Sequence, residues 1–438
     1  MVFIRNAFKN TFLFFCTVLI SCGSSTKVSS QEVNEEVLDT ITKKKTTETV
    51  LTQPILVGAN QTLEYLPLLE EKNVAIVGNQ TSVIFKYPNI ATIFESEQGM
   101  RALKFKQYTH LVDSLLSRNI KIKKVFAPEH GFRGKADAGE LVADGKDIKT
   151  GLPVVSLYGK NKKPSKKSLS GIDIVVFDIQ DVGVRFYTYI STLHYVMQAC
   201  AENNIPVLIL DRPNPNAHYI DGPTMEPEHT SFLGVHPIPL VHGMTIGEYA
   251  KMVNGEGWLG EGLTCDITII PVKNYTHKTA YSLPIRPSPN LPNDKAINLY
   301  PSLGFFEGTT INAGRGTETQ FQIYGSPDLA IEKYDYAYTP KPNFGAKYPK
   351  HRGEVCYGND LRKIPRLSRI NLEWLVNAYK NSKDKEKFFN TKSFTAHAGT
   401  QKLQQQIIDG VSATQIKKSW SEGLRAYKEK RKKYLLYK

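Results

Sequence analysis

Four short, mostly apolar runs, Val74–Val77, Ile122–Ala127, Ile172–Phe177 and Ile205–Leu210, each empty directly into a polar loop. Those loops open Gly78-Asn79-Gln80, Pro128-Glu129-His130, Asp178-Ile179-Gln180-Asp181 and Asp211-Arg212-Pro213. Continuous apolar runs of this length suit strands buried on both faces, where neither side can be polar. Lys106–Arg118 and the stretch ending near Asn203 carry helical spacing between them. Strand, polar loop and helix in alternation specify an α/β fold, a parallel sheet with helices on both faces. In such a sheet the loops leaving the carboxyl ends of the strands share one edge, where ligands and catalytic groups sit.

The most pointed of these loops lies in VFAPEHGFRG, residues 125–134. Pro128 ends the strand, and Glu129 and His130 are held between Pro128 and Gly131, which places a carboxylate and an imidazole close to main chain. The competing reading is a strand-ending turn with a solvated Glu. No Gly-x-Gly-x-x-Gly follows the first strand and no Gly-Lys-Ser/Thr loop occurs, so neither a dinucleotide nor a P-loop nucleotide is expected. No Gly-x-Ser-x-Gly elbow of a serine hydrolase is present either.

At 438 residues, 41% hydrophobic and 10% aromatic, the chain has the makings of a sizeable core in two domains. Its first 21 residues stand apart. Arg5 and Lys9 precede an apolar run from Thr11 to Ile20, too short for a membrane span, which is the pattern of a secretory signal. The run ends Leu19-Ile20-Ser21-Cys22, a bacterial lipobox in form, with Cys22 as the residue expected to carry lipid after cleavage. The expected product is an exported bacterial lipoprotein, anchored by Cys22 in the periplasm or at the outer membrane. Residues 22–52, rich in Ser, Thr, Lys and Glu, read as a disordered tether. Cys200, Cys265 and Cys356 are widely spaced and give no disulfide framework or metal motif. The formal charge of +14 falls to +12 when Arg5 and Lys9 leave with the signal; in an exported protein that excess suits anionic envelope glycans, and no nucleic acid is expected.

The texture changes from about Phe232. A Pro-punctuated connection leads into a helix over Ile246–Asn254, and Thr264–Val272 reads as a strand. Arg286–Pro292 is a rigid extended loop fixed by three prolines. Glu307–Gln322, EGTTINAGRGTETQFQ, is polar and Gly-rich, with Asn312, Arg315, Glu318 and Gln320, and reads as a binding loop rather than a core element. Helices are expected over Gln401–Ile408 and Ala413–Tyr427.

FAPEHGFRG, FDIQDVGVRFYTYISTL, LDRPNP, HPIPLVHGMTIGEYA, PSPNLP, YPSLGFFEGTTINAGRGTETQFQ and the terminal YLLY together resemble one family, across roughly residues 55 to 438. It is the exo-β-N-acetylmuramidases of the NamZ type, family 171 of the glycoside hydrolases. The resemblance implies a Rossmann-like domain, 53–230, joined to a smaller α/β domain, 231–438, with the active site in the cleft between them. It implies release of N-acetylmuramic acid from the non-reducing ends of peptidoglycan fragments, with Glu129 as the leading catalytic carboxylate and no cofactor. Ala217 departs from the Asn-Gly expected after LDRPNP, which puts the shape of that turn in doubt.

Glycoside cleavage needs a proton donor to the leaving oxygen and a second group that activates water or attacks the sugar. Glu129 suits the donor if its turn desolvates it, with His130 beside it orienting substrate or sharing a proton. Candidates for the second group are Asp178 and Asp181, on the same sheet edge, and Glu318. An Arg fork is the natural partner for the lactyl carboxylate of muramic acid, and Arg133, Arg185 and Arg315 each occupy a motif loop. Asn79, Gln80, Asn290, Asn312 and Gln320 offer hydrogen bonds to sugar hydroxyls, and Tyr187 a face for stacking. Two other readings stand beside this one. A non-catalytic peptidoglycan-binding lipoprotein would use the same residues, and a metal-dependent hydrolase would draw on His130, Asp178, Asp181 and His242, although no His-x-x-x-His spacing occurs and no metal is expected.

Overall fold

The apolar runs become the centre of one sheet in the computed structural model, which describes residues 53–86, 108–134, 140 and 144–438. The signal, the tether and Cys22 lie outside the described residues. In chain order the sheet strands are β1 (Val74–Gly78), β2 (Ile122–Ala127), β3 (Gly145–Lys146), β4 (Pro153–Ser156), β5 (Ile174–Asp178), β6 (Val207–Leu210) and β7 (Ile267–Ile270). Their spatial order is β7-β6-β5-β1-β2-β4-β3, parallel throughout except for β3. The chain winds outward from β1 through β2 to β4, crosses back to β5, and winds outward again through β6 to β7. The reversal beside β1 is the topological switch point at which doubly wound sheets open a crevice for ligands.

Side-chain alternation explains why both faces are covered. Ala75, Val77, Val175, Phe177, Val207 and Ile209 face one layer, built from α2 (Tyr189–Glu202) and α3 (Ile246–Gly255). Val74, Ile76, Ile174, Val176, Leu208 and Leu210 face the other, with Tyr65 and α1 (Leu111–Leu116). Each fully buried side chain of this kind contributes about 1.5–3 kcal/mol, and truncating Phe177 to Ala would cost about 3–5 kcal/mol.

The helix expected over Lys106–Arg118 is shorter. Tyr108–His110 pairs antiparallel with Val83–Phe85, and α1 begins only after His110, whose Nδ1 accepts from the Val112 amide. The expected helix over Ala413–Tyr427 divides at Trp420 into Ala413–Ser419 and Ser421–Arg431.

The sheet draws on chain past the expected boundary at 230/231, since β7 pairs with β6. Beyond it lies an antiparallel sheet of β8 (Ile323–Ser326), β9 (Tyr336–Tyr338) and β10 (Cys356–Asp360), with β10 central. One apolar cluster runs from the first sheet into this part, taking in Phe305, Phe306, Phe388 and Phe394. The chain's far end returns to the first sheet. Tyr437 donates its hydroxyl proton to Asp211 Oδ2 at 2.6 Å and accepts from the Val272 amide at 2.9 Å. Glu248, in the capping box of α3, accepts from the amides of Leu436 and Tyr437.

Candidate active site

At the carboxyl end of β2 the chain reverses sharply. His130 and Gly131 both take left-handed backbone (φ 69° and 75°), and the Gly131 amide donates to the Pro128 carbonyl. A non-glycine residue held there is uncommon, and such strain collects at functional sites. The turn buries His130 and brings Glu129 to the wall of a cavity of about 770 Å³. Thr188, at the N-terminus of α2, makes no capping bond; its hydroxyl donates instead to Glu129 Oε2 at 2.8 Å. Tyr158 lines the same cavity, and burial together with the Glu129 carboxylate pushes its phenol well above the ordinary range.

The Pro-rich loop closes one side. Gln80 Nε2 donates to the carbonyls of Arg286 and Pro287, and the Tyr187 hydroxyl to that of Pro287 at 2.7 Å. Asn79 supports Tyr189, whose hydroxyl reaches the same carbonyl. With the loop pinned, Ser288, Asn290 and Leu291 face the cavity.

The opposite wall comes from the polar stretch 307–322, much of which is buried rather than solvated. Glu307 lies in a short 3-10 turn, Gly304–Gly308, and its Oε1 accepts from Arg315 Nε at 2.9 Å. Arg315 stands between Gly314 and Gly316, both left-handed (φ 78° and 80°). A Cβ on the first would come within 2.7 Å of the Thr319 carbonyl oxygen, and on the second within 2.7 Å of Pro349. Only glycine fits these two places. Lys350 donates to four carbonyls, those of Phe306, Glu307, Thr309 and Ile311, and so pins the turn that carries Glu307. Burial alone would raise the Glu307 carboxyl, but Arg315 and Lys350 hold it below the usual range. His397 completes this wall, with Nδ1 on the Ser393 carbonyl and its basicity lowered by burial.

Of the residues singled out from the sequence, Glu129, His130, Tyr187, Asn290 and Arg315 line the cavity. The others sit outside its lining, each for a visible reason. Asp178 is fully buried in a two-pronged ion pair with Arg212, at 2.6 and 2.9 Å. Asp181 accepts from the Gly183 amide at 2.6 Å, with His242 Nε2 at 3.7 Å. Glu318 is exposed. Arg133 pairs with Asp113 and Asp147. Arg185 is a buried strut, donating to the carbonyls of Pro223, Ile238, His397 and Ala398, and burial lowers its pKa to about 9. Asn79 and Gln80 buttress loops, as described. Asn312 donates to the carbonyls of Arg315 and Lys350, and Gln320 is buried.

His130, Asp178, Asp181 and His242 do not form a metal-ligand group. Among the described residues the one cluster of that kind is Glu226, Glu228 and His229, which line no part of the cavity. Sequence reasoning did not single out Thr188, Tyr158, Glu307, Lys350 or His397. Thr188 and Glu307 lay within quoted motifs; Lys350 and His397 carry no local signal.

A family model described as exo-β-N-acetylmuramidase NamZ, N-terminal, matches residues 74–295, and its C-terminal counterpart matches residues 298–437. The chain belongs to the NamZ family. It is 40% identical over 337 residues to the peptidoglycan β-N-acetylmuramidase NamZ of Bacillus subtilis (strain 168), covering 73% of this chain and 80% of that one. A crystal structure of a DUF1343 family protein from Bacteroides fragilis superposes on this NamZ-family chain with a TM-score of 0.76 at 43% identity, covering 88% of this chain and 99% of that one. A second DUF1343 family protein from the same organism gives 0.72 at 26% identity, with the same coverage. The two models meet at residues 295–298, so β7 belongs with the N-terminal part, in agreement with its place in the sheet.

Proposed function

We propose that this chain is an exo-acting glycoside hydrolase that releases N-acetylmuramic acid from the non-reducing ends of peptidoglycan fragments. Membership of the NamZ family supports the reaction. The observation that carries it to particular residues is the pairing of Glu129, oriented by Thr188, with an ionised Glu307 in the wall of the same cavity. Glu129 supplies the proton to the leaving glycosidic oxygen. Glu307 supplies the negative charge that favours the oxocarbenium-like transition state, and water completes the hydrolysis by adding to the anomeric carbon, the proton it sheds balancing the one Glu129 gave up. Asp178, Asp181 and Glu318, which stand outside the cavity lining, take no part in the bond-breaking step.

The lipobox Leu19-Ile20-Ser21-Cys22 and the polar segment after it support an exported, Cys22-anchored lipoprotein whose folded part reaches envelope glycans on a tether. Labelling with a radioactive fatty acid, lost in Cys22→Ala, tests the anchor.

The decisive assay uses purified residues 27–438 and a disaccharide with muramic acid at its non-reducing end. Free N-acetylmuramic acid is the expected product. Glu129→Gln is expected to lower turnover by about 10²–10⁴-fold with binding retained, the size of a lost general acid. Binding without release by the wild-type protein would establish a glycan-binding lipoprotein instead.

A further inference from the structure

We infer that Arg315 reads the lactyl carboxylate that separates muramic acid from N-acetylglucosamine, and so sets which sugar the cavity accepts. The inference rests on the muramidase reading above.

Three lysines and arginines line the cavity, and their commitments differ. Lys350 spends its ammonium on four backbone carbonyls. Lys347 sits at the exposed rim in an ion pair with Glu140 at 2.8 Å. Arg315 gives only Nε to Glu307; among the described residues its two terminal nitrogens donate to no protein atom, although its side chain is only 24% exposed. A guanidinium carries five N–H donors, so four remain, arranged as the planar fork that fits a carboxylate.

The head group is also held still. Glu307 fixes the Nε edge, the Phe321 ring lies 5.3 Å from the guanidinium carbon, and two glycines with left-handed backbone flank the residue. Arg133 and Arg185, the other guanidinium groups in motif loops, stand outside the cavity lining, each turned to internal partners.

The test compares N-acetylmuramic acid with N-acetylglucosamine, as free sugars in calorimetry and as chromogenic β-glycosides in kinetics. Wild type is expected to prefer the muramic form in both. Arg315→Gln is expected to shrink the binding preference roughly 10- to 100-fold, the scale of a charged hydrogen bond, by weakening binding of the muramic form, while turnover of both glycosides falls because Glu307 loses its partner. Arg315→Lys keeps the charge beside Glu307 but loses the fork, and is expected to lose most of the preference while melting like wild type. An undiminished binding preference in Arg315→Lys overturns the inference, whether or not either glycoside is cleaved. Failure of wild type to cleave the muramide strikes the proposed function instead, because the binding arm still reports on Arg315.

Discussion

The Thr188 hydroxyl donates to Glu129 Oε2 at 2.8 Å across 59 residues of sequence. One residue leaves β2 and the other opens α2, so the bond joins the two sides of the sheet's switch point. A hydroxyl at a helix N-terminus ordinarily caps the helix; this one is turned to the carboxyl instead.

Thr188→Val keeps the shape and removes the donor. Its kcat on a muramide substrate should fall about tenfold or more, the scale of a hydrogen bond to a charged group, while the melting temperature stays near wild type. Thr188→Ser should recover most of the loss. Unchanged kcat in Thr188→Val would show that the bond does not orient Glu129.

Asp178→Asn is expected to act on stability. Removing one partner of the buried Asp178–Arg212 pair leaves a guanidinium charge poorly matched, at a cost of about 3–5 kcal/mol. Chemical denaturation should show the loss. A variant of normal stability with turnover reduced by orders of magnitude would return Asp178 to the list of catalytic groups.

Acidification should destabilise the protein from about pH 6.5 downward. Burial lowers His110 and His194 to about 4 and His236 to about 2. Unfolded, each titrates near 6.5, so below that pH the unfolded chain binds protons that the native one refuses, and stability falls. Asp211 has the opposite sign, because burial raises it to about 6 and native protonation between about 6 and 4 adds stability. Burial also lowers His218 and His397 and raises Asp178, so five losses against two gains leave a net fall, each unbalanced proton worth about 1.4 kcal/mol per pH unit. Melting temperatures between pH 7 and 5 check the sign; a rise on acidification would contradict it.

Tyr348, 87% exposed at the cavity rim, should concern substrate beyond the terminal sugar. Tyr348→Ala should leave stability within about 0.5 kcal/mol and raise KM for a disaccharide, with little effect on a muramide bearing a small leaving group. Equal effects on both substrates would place Tyr348 against the terminal sugar.

The central sheet was legible because β1, β5 and β6 are buried along their whole length, and β2 over Val125–Ala127, so that each reads as an apolar run. The strand over 264–272 was also legible as a strand, but not its partner, since pairing with β6 depends on how the chain crosses over. Glu129 and Arg315 could be picked out because a proline, a glycine or flanking glycines mark a backbone held for a purpose. Arg185 shows where that reasoning stops. It sits in a motif beside Tyr187 and looks like a ligand contact, yet its partners His397 and Ala398 lie more than two hundred residues on. Nothing in the sequence near Arg185 announces them. Lys350 and His397 are the same problem from the other side, ordinary residues made part of the site by packing alone.

The hydroxyl of Tyr437 on Asp211 also has a consequence in time. Asp211 emerges from the ribosome 226 residues before the phenol that caps it, and the Val272 amide 165 residues before. Until then the β6–β7 edge holds a buried carboxyl with one donor missing, and Glu248 lacks the two amides of Leu436 and Tyr437. The contacts that tie the β6–β7 edge to the C-terminus therefore form only after the last residues of the chain are made.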